Sequence, residues 1–298
     1  MIIKGCAATD VGKKRRNNED NFYICGRYKE DPDANVDHAE SIRQTGAYLF
    51  SVCDGMGGAQ FGEIASNIAV RTLGKYAEYF DERYADYFAE ANDSICRETA
   101  ARGSERIGTT FVGLSIRGDT ARCYNIGDSR AYLLRDTELR QLSIDHTQAE
   151  MMFRYGMISE EEAKRHPSRH VLTQHLGILP EEMIIEPYAA DAIPLCDGDI
   201  FLLCSDGLTD MLGDEEIRDI LSEDSCLKDK TEALIAAALS NGGKDNVTVI
   251  LVKAVSDLEG IELPQVRSKL RACVDPESAV GMDSAIDDII TLTKIRLL

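Results

Sequence analysis

Several acidic positions in this chain stand where strands should end. Asp54 closes the apolar run Tyr48-Leu49-Phe50-Ser51-Val52-Cys53 and opens the glycine-rich turn Gly55-Met56-Gly57-Gly58. Glu19-Asp20, Ser205-Asp206-Gly207 and Lys244-Asp245-Asn246 follow similar logic. A strand that ends on a carboxylate and turns at once through glycines delivers charged oxygens to a sheet edge. The glycines let the backbone approach whatever those oxygens hold. Carboxylates scattered in sequence, each at a strand end, suggest one shared site for hard cations. Mg²⁺ and Mn²⁺ prefer oxygen ligands. Two such ions sharing a bridging carboxylate hold a water that ionises near neutral pH and becomes a nucleophile. The natural substrate is a phosphomonoester, whose charge the ions also offset. A guanidinium is then wanted to hold the remaining phosphate oxygens. Arg15 and Arg16, just before Glu19-Asp20, are the candidates.

The elements that must position these groups are legible in part. Ile2–Ala8, Asn21–Cys25 and Tyr48–Cys53 read as strands, and the polar stretch Gly26–Gly46, with Asp31-Pro32-Asp33, as a loop or excursion. Phe61–Phe80 has the helical period, and a second helix is expected over about Arg83–Ala101. Thr109–Ile116, Thr120–Ile126 and Ala131–Leu134 then form an antiparallel meander. Asp145–Leu179 is polar and reads as a mobile excursion, with Ser159 and Glu162 placed for a capping box. Ile184–Tyr188 and Asp199–Cys204 return to strand. Asp214–Leu221 and Thr231–Ser240 read as helices, and Val247–Val252 as a last strand. This order suits an α+β fold in which two antiparallel sheets pack together under helices on their outer faces. The Met282–Leu298 end is amphipathic and reads as a docking helix or a partner-binding tail.

Composition removes other classes. The 298 residues carry 33 basic and 52 acidic side chains, a net charge of −19, which argues against nucleic-acid binding. The chain shows no apolar run of membrane-spanning length and no signal-peptide pattern, so no membrane partner is expected. Nine cysteines, an odd number with no Cys-x-x-Cys, read as reduced thiols of a cytoplasmic protein. No cysteine sits in a Cys-x5-Arg loop, so no covalent phosphoenzyme is expected. The glycine turn lacks the Lys-Ser/Thr of a P-loop. Taken singly, Asp54 and Asp245 could be turn residues and Glu19 a surface residue; the set raises them. His146, His166, His170 and His175 read as structural or excursion-surface residues rather than ligands. Tyr76, Tyr79, Tyr84 and Tyr87 read as helix packing.

At this point the chain resembles the metal-dependent Ser/Thr protein phosphatases of the PP2C (PPM) family, in its bacterial form. The resemblance rests on Arg15-Arg16-Asn17-Asn18-Glu19-Asp20, Asp54-Gly55-Met56-Gly57-Gly58, Gly108-Thr109-Thr110, Asn125-Ile126-Gly127-Asp128-Ser129-Arg130, Ser205-Asp206-Gly207 and Asp245-Asn246, in that order. It implies a four-layer αββα sandwich over residues 1–255, a flap at about 147–180, and a C-terminal extension at 256–298. It implies two core Mn²⁺ or Mg²⁺ ions and a third, weaker one. Asp54 resembles the bridging carboxylate, with the Gly55 carbonyl on the second ion. Asp206 and Asp245 resemble ligands of the first ion; Asp20, with Glu19, would hold the second. Asp128 with Asp206 resembles the pair for the third ion. Arg15 has the family's spacing for the phosphate-binding arginine, with Arg16 as the alternative. Asn246 would orient Asp245, and Gly108-Thr109-Thr110 would support the site. Many eukaryotic members carry a proposed acid, His, where this chain has Met56, which cannot donate a proton. The implied activity is hydrolysis of phosphoserine and phosphothreonine by a monomer that opposes Ser/Thr kinases. A non-catalytic scaffold of the same fold, or a phosphatase for small phosphomonoesters, are the competing readings.

Overall fold

The computed structural model describes residues 1–256, apart from 32–33, 35, 44–45, 58–60 and 104–105. One six-stranded antiparallel sheet has the order β11 (Glu138–Gln141), β10 (Arg130–Arg135), β14 (Ile200–Cys204), β15 (Val247–Val255), β1 (Ile2–Asp10), β4 (Val36–Arg43). The second sheet runs β12 (Tyr188–Ala189), β9 (Thr120–Ile126), β8 (Phe111–Arg117), β5 (Ala47–Cys53), β2 (Asn21–Ile24), β3 (Arg27–Tyr28), with β13 (Ile193–Pro194) also on β9. A two-stranded ribbon joins β6 (Gly55–Gly57) to β7 (Ile107–Thr109). The helices are α1 (Gly62–Leu73), α2 (Phe80–Ala101), α3 (Gln148–Arg154), α4 (Glu160–Arg165), α5 (Asp206–Thr209), α6 (Asp214–Ser222) and α7 (Leu227–Ser240).

Strand periodicity explains the layers. In β5, Tyr48, Phe50 and Val52 enter the core between the sheets, while Leu49 and Cys53 face α1 and α2. In β14, Phe201 and Leu203 point inward, and Ile200, Leu202 and Cys204 meet α5, α6 and α7. Strands covered on both faces need apolar residues at every position, which is why these runs read as continuous rather than alternating. The result is the expected αββα order, with one apolar layer between the sheets, one under α1 and α2, and one under α5, α6 and α7.

Four elements depart from the sequence reading. The meander expected over Thr109–Ile116, Thr120–Ile126 and Ala131–Leu134 holds for β8 and β9 only; after the Gly127–Ser129 turn β10 crosses to the other sheet, between β11 and β14. The stretch expected to be a loop, Gly26–Gly46, contains β3 and the eight-residue β4, which pairs with β1 from Ile3↔Arg43 to Asp10↔Val36. An edge strand has one ladder and partial cover, so a polar sequence can fill it without an apolar signature. The helix expected over Phe61–Phe80 ends at Leu73 with Gly74 as cap, and Phe80 starts α2 instead. Tyr76 stays in the helical register because the intervening turns fold it back onto Tyr87, 6.0 Å between rings. The strand expected over Ile184–Tyr188 is limited to Tyr188–Ala189. The Gln174 side chain holds the Ile184 carbonyl and the Glu186 amide there in place of a partner strand. The capping box at Ser159 and Glu162 forms at α4 as expected. The amphipathic 282–298 segment lies outside the described residues.

Phe80 is the hub of the layer under α2. Its ring centroid lies 5.4 Å from Tyr87, 6.2 Å from Phe111 and 5.0 Å from Tyr124, and the residue is 1% exposed. Truncating such a ring removes transfer energy and leaves a cavity. Phe80→Ala should lower unfolding stability by about 3–5 kcal/mol in urea denaturation; a loss below about 1 kcal/mol would mean that the layer repacks.

Candidate metal centre

The candidate carboxylates come from different strands yet meet at one end of the sandwich. Asp20 precedes β2 and Asp54 follows β5, whose ends pair as Asn21↔Cys53. Asp206 follows β14 and Asp245 precedes β15, whose ends pair as Cys204↔Val249. Asp128 lies in the turn from β9 to β10. The groups that raise the Asp54 pKa, after its own desolvation, are Asp20, Asp206, Asp128 and Asp245. All of these sequence-predicted acidic residues are therefore neighbours.

Asp20 joins the two sheets. Its Oδ2 accepts hydrogen bonds from Ser205 Oγ and Thr248 Oγ1, both at 2.7 Å and both from the opposite sheet. Its Oδ1 is buried with no hydrogen-bond partner. A buried carboxylate oxygen without a donor is costly, and it is what a cation ligand looks like before its ion arrives. Burial pushes the Asp20 pKa up to about 6, against the two hydroxyl bonds that lower it. Burial likewise raises Asp54 and Asp206 well above the carboxylate range, with neighbouring carboxylates adding to the rise. Asp128 is raised to about 7, first by desolvation and then by Asp145. A divalent cation is the counter-charge this set lacks, and its donors are the hard oxygens that Mg²⁺ and Mn²⁺ take.

The backbone around Asp54 is tightly held. Its amide donates to Thr110 Oγ1 at 3.0 Å, and its carbonyl accepts from the Thr110 amide and from Thr109 Oγ1, each at 2.9 Å. Thr110 Oγ1 also bonds Ser129 Oγ at 2.7 Å, which links the Asp54 and Asp128 turns. Gly55 is required by close approach: a Cβ there would lie 2.2 Å from the Gly62 carbonyl oxygen and 2.4 Å from that of Glu19.

The remaining candidates divide. Arg15 donates to Asp245 Oδ2 at 2.6 Å, and Asp245, Glu19 and Asp54 all support its charge. Arg16 is exposed and, among the described residues, has no hydrogen bond or ion pair at the site. The Glu19 side chain turns to α1, where Oε1 accepts from the Gly62 amide at 3.3 Å. Asn246 does more than its sequence position suggests. Its amide donates to Asp245 Oδ1, its Nδ2 donates to the carbonyls of Val11 and Asn17, and its Oδ1 accepts from the Glu19 amide. It thus staples the Arg15–Glu19 loop to the start of β15. Cys96 and Arg102 have Cys-x5-Arg spacing, but α2 carries both and Cys96 Sγ faces the Ile178 carbonyl, so they form no phosphate loop.

Two neighbours were not legible. Lys29 is fully buried, and its Nζ donates to the Asn18 carbonyl at 2.6 Å. It is the cation whose field lowers the Asp20 pKa. His170, expected on the excursion surface, has Nδ1 3.9 Å from Asp206 Oδ2 and Nε2 3.5 Å from Asp210 Oδ2. The other excursion histidines make local hydrogen bonds, His166 Nδ1 accepting from the Ser168 amide. His146 Nδ1 accepts from the Gly127 amide, and His175 Nδ1 lies 2.8 Å from the Leu176 carbonyl.

Sheets, helices and acidic cluster together are those of a metal-dependent hydrolase. The family description "Protein phosphatase 2C" matches residues 30–241. Protein phosphatase PhpP of Streptococcus pneumoniae is 37% identical over 254 residues, covering 82% of this chain and 94% of that protein. The crystal structure of serine/threonine phosphatase Stp1 from Staphylococcus aureus superposes with a TM-score of 0.72 at 29% identity, covering 85% of this chain and 95% of the other. The catalytic domain of PstP in complex with 2 manganese ions superposes with a TM-score of 0.68 at 30% identity, covering 86% of this chain and 100% of the other. The chain belongs to the protein phosphatase 2C family, whose members are metal-dependent Ser/Thr phosphatases.

Because Asn246 holds the Arg15–Glu19 loop against the carboxylates, Asn246→Ala should weaken Mn²⁺ binding by about 10–100-fold in calorimetric titration. Unchanged Mn²⁺ affinity would show that the loop keeps its place without it.

Proposed function

We propose that this chain is a protein-serine/threonine phosphatase that hydrolyses phosphoserine and phosphothreonine with two Mn²⁺ or Mg²⁺ ions. The observation that carries this reading is the convergence of the buried Asp20 with the half-buried Asp54, Asp206 and Asp245, with Arg15 at its rim. Asp54, placed centrally among the other carboxylates, would be the ligand shared by the two ions. Asp206 and Asp245 would hold one core ion. Asp20 and the Gly55 carbonyl would hold the other, and the orphaned Asp20 Oδ1 is the atom with ligand capacity to spare. Glu19, whose side chain is engaged at α1, supports that end through its neighbours. Asp128 and Asp206 hold a third ion outside the pair. When bound, the ions supply Lewis-acid activation of water and offset the phosphate charge.

Arg15 is the phosphate-binding group. Its side chain is 49% exposed, so a substrate phosphate can reach it without rearranging the core. Thr109, Thr110 and Ser129 keep the Asp54 turn fixed while charge moves in the site. Residues 1–255 make the catalytic unit, with the 147–180 excursion as its flap and 256–298 as an extension. The described cysteines are all free thiols, which fits a cytoplasmic protein. No described helix is long and apolar enough to cross a membrane. Its partners are phosphorylated proteins and the Ser/Thr kinases that make them, and the protein acts as a monomer.

With Mn²⁺ the protein should release phosphate from a phosphothreonine peptide, and complete chelation should abolish the rate. Turnover that survives metal removal, or no turnover on any phosphoprotein, would refute the proposal. Arg15→Ala should raise KM for the peptide about 10–100-fold, the scale of a lost charge-assisted hydrogen bond. An unchanged KM, with a raised one in Arg16→Ala, would transfer the role to Arg16.

A further inference from the structure

We propose that the recess beside the β6–β7 ribbon is a substrate subsite, which takes an aliphatic side chain two positions from the phosphorylated residue. The inference rests on the proposed hydrolysis of phosphopeptides and adds a sequence preference to it.

The recess is a cavity of ≈ 240 Å³, lined on one side by Met56 and Gly57. These two follow Gly55, whose carbonyl is a proposed ligand of a core ion. The volume is below the roughly 300–1,000 Å³ of sites that hold whole ligands, and it suits a side chain. An extended peptide advances about 3.3 Å per residue and points alternate side chains to one face. A phosphorylated side chain held at the ions therefore has its nearest same-face neighbour about 7 Å away. Gly55 and Gly57 stand two residues apart in β6 and span the same step.

The walls are fixed before any substrate arrives. Gly108 and Ile107 of β7 pair with Met56 and Gly57. Thr109 exchanges two backbone hydrogen bonds with Leu176, at 3.1 and 2.9 Å. The far end of the excursion is then pinned to α2. Asn92 Oδ1 accepts from the amides of Gly177 and Ile178 at 2.8 and 3.2 Å, and its Nδ2 donates to the Ile178 carbonyl at 2.9 Å. Asn92 is buried, so water does not compete for these bonds. Walls held in this way lower the cost of ordering on binding.

The lining is apolar where it is free and polar where it is already engaged. Met56, Ile107 and Ile178 offer apolar surface. Arg106 and Glu182 are the charged lining groups among the described residues. They hold each other by two hydrogen bonds, Nη1 to Oε2 at 3.2 Å and Nη2 to Oε1 at 2.5 Å. His175 Nδ1 faces the Leu176 carbonyl, which only accepts, so Nδ1 carries the hydrogen. Burial lowers the His175 pKa, which keeps the ring neutral at pH 7. An incoming charged side chain would lose water here and find no free counter-charge. An aliphatic one meets no such cost, and the unbranched, polarizable Met56 side chain adapts to its shape.

The test uses phosphothreonine peptides with Leu, Gly, Lys or Glu two positions before or after the phosphothreonine. Wild type, Arg106→Ala and Glu182→Ala are compared with Mn²⁺ present. Wild type should favour Leu at one of the two positions, over Gly by at least about tenfold in kcat/KM. Arg106→Ala leaves Glu182 unpaired and should raise kcat/KM for the Lys peptide about 2–5-fold; Glu182→Ala should do the same for the Glu peptide. The two side chains are 72% and 42% exposed, so both variants keep the fold. p-Nitrophenyl phosphate, too small to reach the recess, should be hydrolysed alike by all three. Equal hydrolysis of every peptide by wild type, or charge preferences that neither variant moves, would overturn the subsite and leave the proposed function standing. A variant that also loses p-nitrophenyl phosphate hydrolysis would make the pair a support of the metal site and overturn the subsite. No hydrolysis of any peptide would overturn both readings.

Discussion

The structure is organised around a repulsion. Asp20, Asp54, Asp128, Asp206 and Asp245 are held together at one end of the sandwich, and neighbouring carboxylates add to the desolvation that raises Asp20, Asp54, Asp128 and Asp206. Nothing in ordinary folding favours that arrangement. It is tolerated because the rest of the domain over-determines it. Three antiparallel strand pairs end there, the Thr110 hydroxyl joins the Asp54 and Asp128 turns, and Asn246 fixes the Arg15–Glu19 loop. Lys29, Arg15 and Arg130 supply positive charge from the protein itself. In the proposed function divalent ions supply the rest.

Asp20 shows how site and fold depend on one another. One carboxylate oxygen is a structural bridge between sheets, held by Ser205 and Thr248. The other is left without a donor. Thr248 also bonds Thr9 at 2.6 Å, and Asn18 donates to Thr9 at 2.8 Å, so the same hydroxyls register β1, β15 and the loop before β2. The core layer between the sheets fixes how close the two halves of the metal site can come.

Much of this was legible in the sequence because the relevant signals are local. The run Tyr48–Cys53 is apolar but for Ser51, since both of its faces are covered, and a glycine turn after a carboxylate is read within a few residues. The order of motifs then carried the αββα arrangement. What the sequence withheld is non-local. Strand β4 is polar because it is an edge, and it exists through its ladder to β1. The break between α1 and α2 was hidden because Tyr76 packs in register on a turn. Lys29 looked like a loop lysine until folding closed around it. His170 is five positions past the end of α4, and only the ladder from Gly127 through His146 to Thr173 sets it against Asp206. Asn246 was legible as a partner of Asp245, but its three loop contacts come from residues more than 200 positions away.

If repulsion among the carboxylates is the constraint that bound ions relieve, removing the central charge should separate stability from function. The direct measurement is thermal unfolding of the wild type and of Asp54→Asn, each with and without Mn²⁺. The account predicts that metal-free Asp54→Asn melts higher than the metal-free wild type and loses most of the rise that Mn²⁺ gives. A metal-free variant that melts lower, with the Mn²⁺-induced rise intact, would contradict it.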